Sequence, residues 1–191
     1  DEQAKALIGA GRWTRLPNPV TWIIRPQLAA PIVLRRDPAS GLPPTAPRAV
    51  PAEARCPVCG MFPARAPEWA AQVIFAQGEA HFFDSPLSLF MYLHDVARYS
   101  PGRSVQDIAA AYVHDSARRD DAAWIDARSA FYVHGSNAKG PMRAGNLPAF
   151  ATQEAAQAFA QRRGGQVLAF RQVDAALVAT LAGQGGHPHG H

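Results

Sequence analysis

Cysteine is nearly absent from this 191-residue chain: Cys56 and Cys59 are the only two, and methionine occurs three times. With no second pair of thiols, a four-cysteine zinc site and a scaffold of several disulfides are excluded, while a single structural disulfide between the two remains open. Long apolar runs are missing too. The nearest candidate, Val20 to Leu34, is broken by Arg25, Pro26 and Pro31, well short of the roughly 18 apolar residues that a membrane span needs. Surplus positive charge is lacking after Arg55, since residues 56–191 carry eleven basic and eleven acidic side chains. The globular part therefore offers no basic patch with interleaved aromatics, and nucleic acid is not an expected partner. Nor is there an initiator methionine. The chain opens at Asp1, as expected where a targeting segment has been removed.

What is present is unevenly placed. Residues 1–55 hold eight basic side chains (Lys5, Arg12, Arg15, Arg25, Arg35, Arg36, Arg48, Arg55) against four acidic ones, together with nine prolines. Proline at that density suppresses helix and favours an extended course. We read residues 1–55 as a basic arm able to meet an anionic membrane surface or an acidic partner. Residues 56–182 have the composition of a folded domain, and 183–191 read as a flexible tail containing His187, His189 and His191.

Both cysteines and one methionine fall within Cys56-Pro57-Val58-Cys59-Gly60-Met61. Two thiols at C-x-x-C spacing can grip one ion, Gly60 permits a tight turn, and Cys59 and Met61 share a face if the backbone is extended. Thiolate with thioether is a ligand set that selects Cu(I) over hard cations. A thiol–disulfide couple remains open, although Gly60-Met61-Phe62-Pro63 is a poor start for the helix that normally follows one.

The domain reads as one unit used twice. Trp69–Phe75 and Ala80–Phe83 are expected as strands around a Gln77-Gly78 turn. Ser85 then caps a helix through Val96 with Pro86 at its first position, and Ile108–Val113 forms a third strand. The order β-β-α-β recurs as strands at 130–133 and 148–151, a helix from Thr152 to Gln161 and a strand at 166–170. A last helix is expected over 172–181. This predicts an α+β fold with halves at about 56–116 and 126–171.

The ordered set Cys-x-x-Cys-Gly-Met, Trp69-Ala70-Ala71-Gln72, Phe83-Asp84-Ser85, Tyr112-Val113-His114-Asp115, Asp126 to Val133, Gly135-Ser136, Lys139-Gly140-Pro141-Met142 and Phe150-Ala151 resembles the NosL family over residues 56–171. The resemblance implies a fold of two β-β-α-β halves similar to that of the organomercurial lyase MerB. It also implies a periplasmic, non-enzymatic chaperone carrying Cu(I) to the tetranuclear copper–sulfide site of nitrous oxide reductase, directly or through a membrane maturation complex. Its implied ligands are Cys59, Met61 and Met142, with Cys56 assisting. Family members are usually anchored through an N-terminal cysteine, and no cysteine precedes Cys56 here.

Met91, in an apolar helix, reads as core, whereas Met142 sits in a glycine-rich, lysine-bearing loop where a packing role is less natural. His81 and His94 read as structural. His114 and His134 close corresponding strands, and His114-Asp115 is a candidate pair for supporting the metal. The alternative class is a thiol enzyme, either a MerB-like lyase or an oxidoreductase. Asp84 or Asp115 would then supply protons, though nothing in the sequence pairs either with a thiol.

Overall fold

The computed structural model describes residues 41–118, 120, 123–141 and 146–183. Strands β1 (Ala71–Phe75) and β2 (Ala80–Phe83) form a hairpin whose turn needs Gly78 at φ +85°. Helix α1 (Pro86–His94) follows, its first turn fixed by the Ser85 hydroxyl accepting from Ser88 N at 3.3 Å, and a short α2 (Val96–Tyr99) extends it. Strand β3 (Ile108–His114) returns antiparallel to β1, with Ala71 opposite Val113 and Gln72 opposite Tyr112. Strand β4 (Trp124–Asp126) pairs with β3. The second half holds β5 (Phe131–His134), β6 (Ala149–Phe150), helix α3 (Gln153–Arg163) capped by Thr152, and β7 (Gln166–Ala169). Helix α4 (Ala175–Gly183) closes the domain.

The strand orders are β2-β1-β3-β4 in the first sheet and β6-β5-β7 in the second, and every pairing within them is antiparallel. Equating β1, β2, α1, β3 with β5, β6, α3, β7 superposes the two orders, so the repeat read from the sequence is a repeat of topology. Strand β4 was not expected. Its burial is only partial, so the apolar alternation that marks a strand is missing. The expected helix over 172–181 begins later, at Ala175, because Phe170–Gln172 forms a 3-10 turn and Asp174 Oδ1 accepts from Leu177 N at 2.8 Å.

All nine residues of β1 and β2 are buried, which means that the first sheet is covered on both faces. One face carries Val73, Phe75, Phe83 and Val113 into the main core with α1, Tyr132, Leu147 and Leu168. Phe90 of α1 joins the halves. Its ring lies 4.9 Å from that of Tyr132 in β5, edge to face, and 5.1 Å from that of Phe170. A parallel bridge between Asp115 and Ala149 ties β3 to β6.

The other face carries Ile74, Ala80, Phe82 and Ala110, and it is covered by Val50 and Ala54. Gln72, wholly buried on this side, exchanges hydrogen bonds of 2.9 and 3.0 Å with the backbone of Arg48, and Tyr112 donates to Thr45 O at 2.7 Å. Residues 45–54 are thus part of the domain rather than of a loose arm. Proline-rich sequence hid this, because an extended segment can satisfy its backbone on side-chain amides and hydroxyls without forming a strand. Residues 1–40, the larger part of the arm, and the tail from 184 lie outside the described residues.

Candidate metal centre

The thiols sit on a loop closed on itself. Cys56 N donates to Met61 O and Gly60 N to Cys56 O, each at 2.8 Å, and Gly60 at φ +73° turns the chain between them. This folds Cys56 inward, 1% exposed, while Cys59 is half-buried and Met61 stands exposed on the rim at 37%. Both cysteines are free thiols. The main core meets the loop through Cys56, with Val58 and Cys59 packed against it.

Asp84 completes the cluster. It leaves the end of β2 one residue before the cap of α1, where the positive end of the helix favours an anion. One sulfur each from Cys56 and Cys59 and one Asp84 oxygen lie within 4.8 Å of one another. Cys59 has a single S–H with two acceptors in reach, Asp84 Oδ1 at 3.1 Å and the Cys56 sulfur. Asp84 is 1% exposed and its Oδ2 has no hydrogen-bond partner. A buried carboxylate oxygen without a donor is costly, and a cation bound beside it would remove that cost. The donor set therefore fits a metal ion: two soft sulfurs, one of them half-buried, and one unpaired negative oxygen.

The electrostatics divide the two thiols. Burial opposes ionisation of Cys56, but the hydrogen bond from Cys59 draws its pKa below the ordinary thiol value. Backbone N–H groups of Asp84 and Cys59 add to that, against the charge of Asp84. Cys59 moves the other way, pushed up by the hydrogen bond it gives Cys56, then by burial and by the negative charges of Cys56 and Asp84. The pair thus holds one proton tightly, mostly on Cys59, and a metal must displace it.

Asp84, which the sequence offered only as a proton source for a thiol enzyme, is brought to the thiols by the fold. Its signal was positional, an acid between a strand end and a helix cap, and its partner Cys59 is 25 residues away. Asp115, the other candidate acid, instead accepts from Ala117 N at 3.0 Å within its own turn. His114 does not pair with Asp115 either: its Nε2 contacts Asp120 O at 2.9 Å and its Nδ1 is buried without a partner. His81 is held by Glu79 at 2.9 Å and His94 by Val173 O at 3.1 Å, both structural. Among the described residues no histidine joins the thiol cluster.

Met142 lies outside the described residues. Its described neighbour Gly140 packs on Trp69, where a Cβ would meet the ring at 3.6 Å and Asn146 at 3.3 Å. Trp69 stands just before β1, whose first residue Ala71 pairs with Phe83 beside Asp84. Gly140 is therefore held against the residue that precedes β1, at the end of the first sheet that carries Asp84.

Comparison with known proteins gives a consistent result. The family model described as NosL matches residues 47–178. The crystal structure of the copper chaperone NosL from Shewanella denitrificans is similar at 26% identity and a TM-score of 0.59, over 70% of this chain and 99% of that one. The solution NMR structure of the apo-NosL protein from Achromobacter cycloclastes matches at 31% identity and a TM-score of 0.37, over 56% of this chain and 87% of that one. No match is found among curated proteins.

Proposed function

The chain belongs to the NosL family, and from that premise we propose that it is a copper chaperone that takes up Cu(I) on Cys56 and Cys59 and passes it on by ligand exchange. The observation that carries this reading is the meeting of both sulfurs with a buried, unpartnered Asp84 oxygen within 4.8 Å. Thiolates bind Cu(I) in preference to hard cations, and the carboxylate contributes charge rather than a soft donor. Met61 and Met142 supply thioethers, weak enough to be exchanged for a recipient's ligands. Cys56 ranks equal to Cys59 in this reading, above the assisting role expected from sequence.

The cargo is destined for the tetranuclear copper–sulfide site of nitrous oxide reductase, directly or through a membrane maturation complex, in the periplasm. That destination is supported by the motif set rather than by geometry. The test is anaerobic titration with Cu(I) against a competing chelator. Wild type should bind one Cu(I) in a sulfur-dominated site that excess Zn(II) does not displace, and Cys59→Ser or Cys56→Ser should abolish binding. Met142→Ala should weaken it about tenfold, about 1.4 kcal/mol. X-ray absorption showing mainly nitrogen and oxygen neighbours would defeat the proposal.

A second reading has one specific observation behind it, the Cys59–Asp84 hydrogen bond of 3.1 Å. A thiol touching a carboxylate is what carbon–mercury protonolysis uses: as the sulfurs take the mercury, the Cys59 proton passes to Asp84, which gives it to the departing carbon as the carbon–mercury bond breaks. Phenylmercury distinguishes the two. The chaperone reading expects stoichiometric binding without catalytic release of benzene.

A further inference from the structure

We propose that the rim of the thiol loop is a docking surface for an acidic protein partner, built from Arg55 and Arg65, which flank the exposed Met61 in the sequence. The proposal deepens the copper reading and rests on it. Both guanidiniums lie on one ring, Arg55 at 3.9 Å and Arg65 at 4.7 Å from the centroid of Phe62. Arg55 also donates to Gly60 O at 3.2 Å, which fixes its charge over the turn between the thiols and Met61. Both arginines are exposed, and among the described residues neither has a carboxylate within ion-pair distance.

Two like charges gathered on one aromatic ring repel each other, and a ring face offsets only about 0.5–1 kcal/mol of attraction per exposed cation. An acidic surface would relieve that repulsion. The fork of each guanidinium suits bidentate carboxylate recognition. Met61, one of the few large apolar side chains exposed among the described residues, lies between Cys59 and Phe62 in the chain. A partner drawn onto the arginines is thereby brought to the half-open side of the site, since Cys56 is closed to solvent. The rim thus steers the recipient and leaves the holding of the ion to the sulfurs.

The experiment uses the full chain loaded with Cu(I) and follows transfer by stopped flow to bathocuproine disulfonate, an anionic chelator, and to uncharged neocuproine. The anionic probe should take copper faster at low salt and lose that advantage at high salt. R55E/R65E should slow it about tenfold, leaving the neocuproine rate and the Cu(I) affinity unchanged, while R162E/R163E at the end of α3 should have no effect. An unchanged anionic rate in R55E/R65E, or equal slowing by R162E/R163E, would overturn the proposal. The apo protein provides a copper-free measurement: the ratio of Cys59 alkylation by iodoacetate to that by iodoacetamide should fall in R55E/R65E. A failed Cu(I) titration would therefore remove the copper reading while this ratio still decides the rim. Loss of binding to phosphatidylglycerol vesicles in R55E/R65E with an unchanged alkylation ratio would assign the rim to lipid and overturn it as well.

Discussion

The chemistry of the pair turns on the proton that copper must displace, which lies between Cys56, Cys59 and Asp84. The hydrogen bond to Cys56, burial and the charge of Cys56 raise the Cys59 pKa, with the charge of Asp84 adding to them, so over the neutral range Cys59 stays protonated and Cu(I) uptake releases that proton, with affinity rising about tenfold per pH unit. Asp84→Asn removes only the last of these contributions, and Cu(I) replaces a proton of the same charge, so in chelator competition from pH 6 to 9 the slope should stay near one proton and the affinity should change little. A loss of about tenfold or more at every pH would mean that the carboxylate ligates copper outright. The thiols were legible in the sequence because C-x-x-C-G-M is local. Asp84 was not, because its contact with Cys59 exists only after β2 has been laid against β1 and its end brought over the loop.

The elements that could be read in advance are those with local signals. Ser85 followed by Pro86 announced α1, Thr152 announced α3, and Gly78 announced the hairpin. Their repetition disclosed the topology of both sheets. What stayed hidden, β4 and the 45–54 segment, pairs through backbone and side-chain amides and leaves no apolar period. Between the halves Phe90 is a buried link, 1% exposed, edge to face with Tyr132 and tilted against Phe170. Phe90→Ala should cost about 3–5 kcal/mol, the usual loss for a buried aromatic. Ser85→Ala should cost about 1 kcal/mol through the lost cap. Urea unfolding checks both. A Phe90→Ala loss below that of Ser85→Ala would show that the halves are held together elsewhere.

For the whole molecule, the division between arm and domain decides what truncation does. Residues 1–40 contain Lys5, Arg12, Arg15, Arg25, Arg35 and Arg36 against Asp1, Glu2 and Asp37, so most of the net charge of +4 belongs to them. Their removal should leave the melting temperature and Cu(I) affinity unchanged. It should weaken flotation with anionic vesicles, and added salt should mimic the deletion because exposed charges are screened within about 8 Å at physiological ionic strength. Cutting at residue 54 is a different operation. It uncovers Ile74 and Phe82, each of which contributes about 1.5–3 kcal/mol by burial, and strips Gln72 of both hydrogen bonds to Arg48. A loss of that size is a large share of the 5–15 kcal/mol that stabilises an ordinary domain. The longer truncation should therefore melt far lower, and since the first sheet also carries Asp84, its copper site should fail with the fold. Equal melting temperatures for the two truncations would show that residues 45–54 merely lie on the sheet, and the domain would then begin at the thiol loop itself.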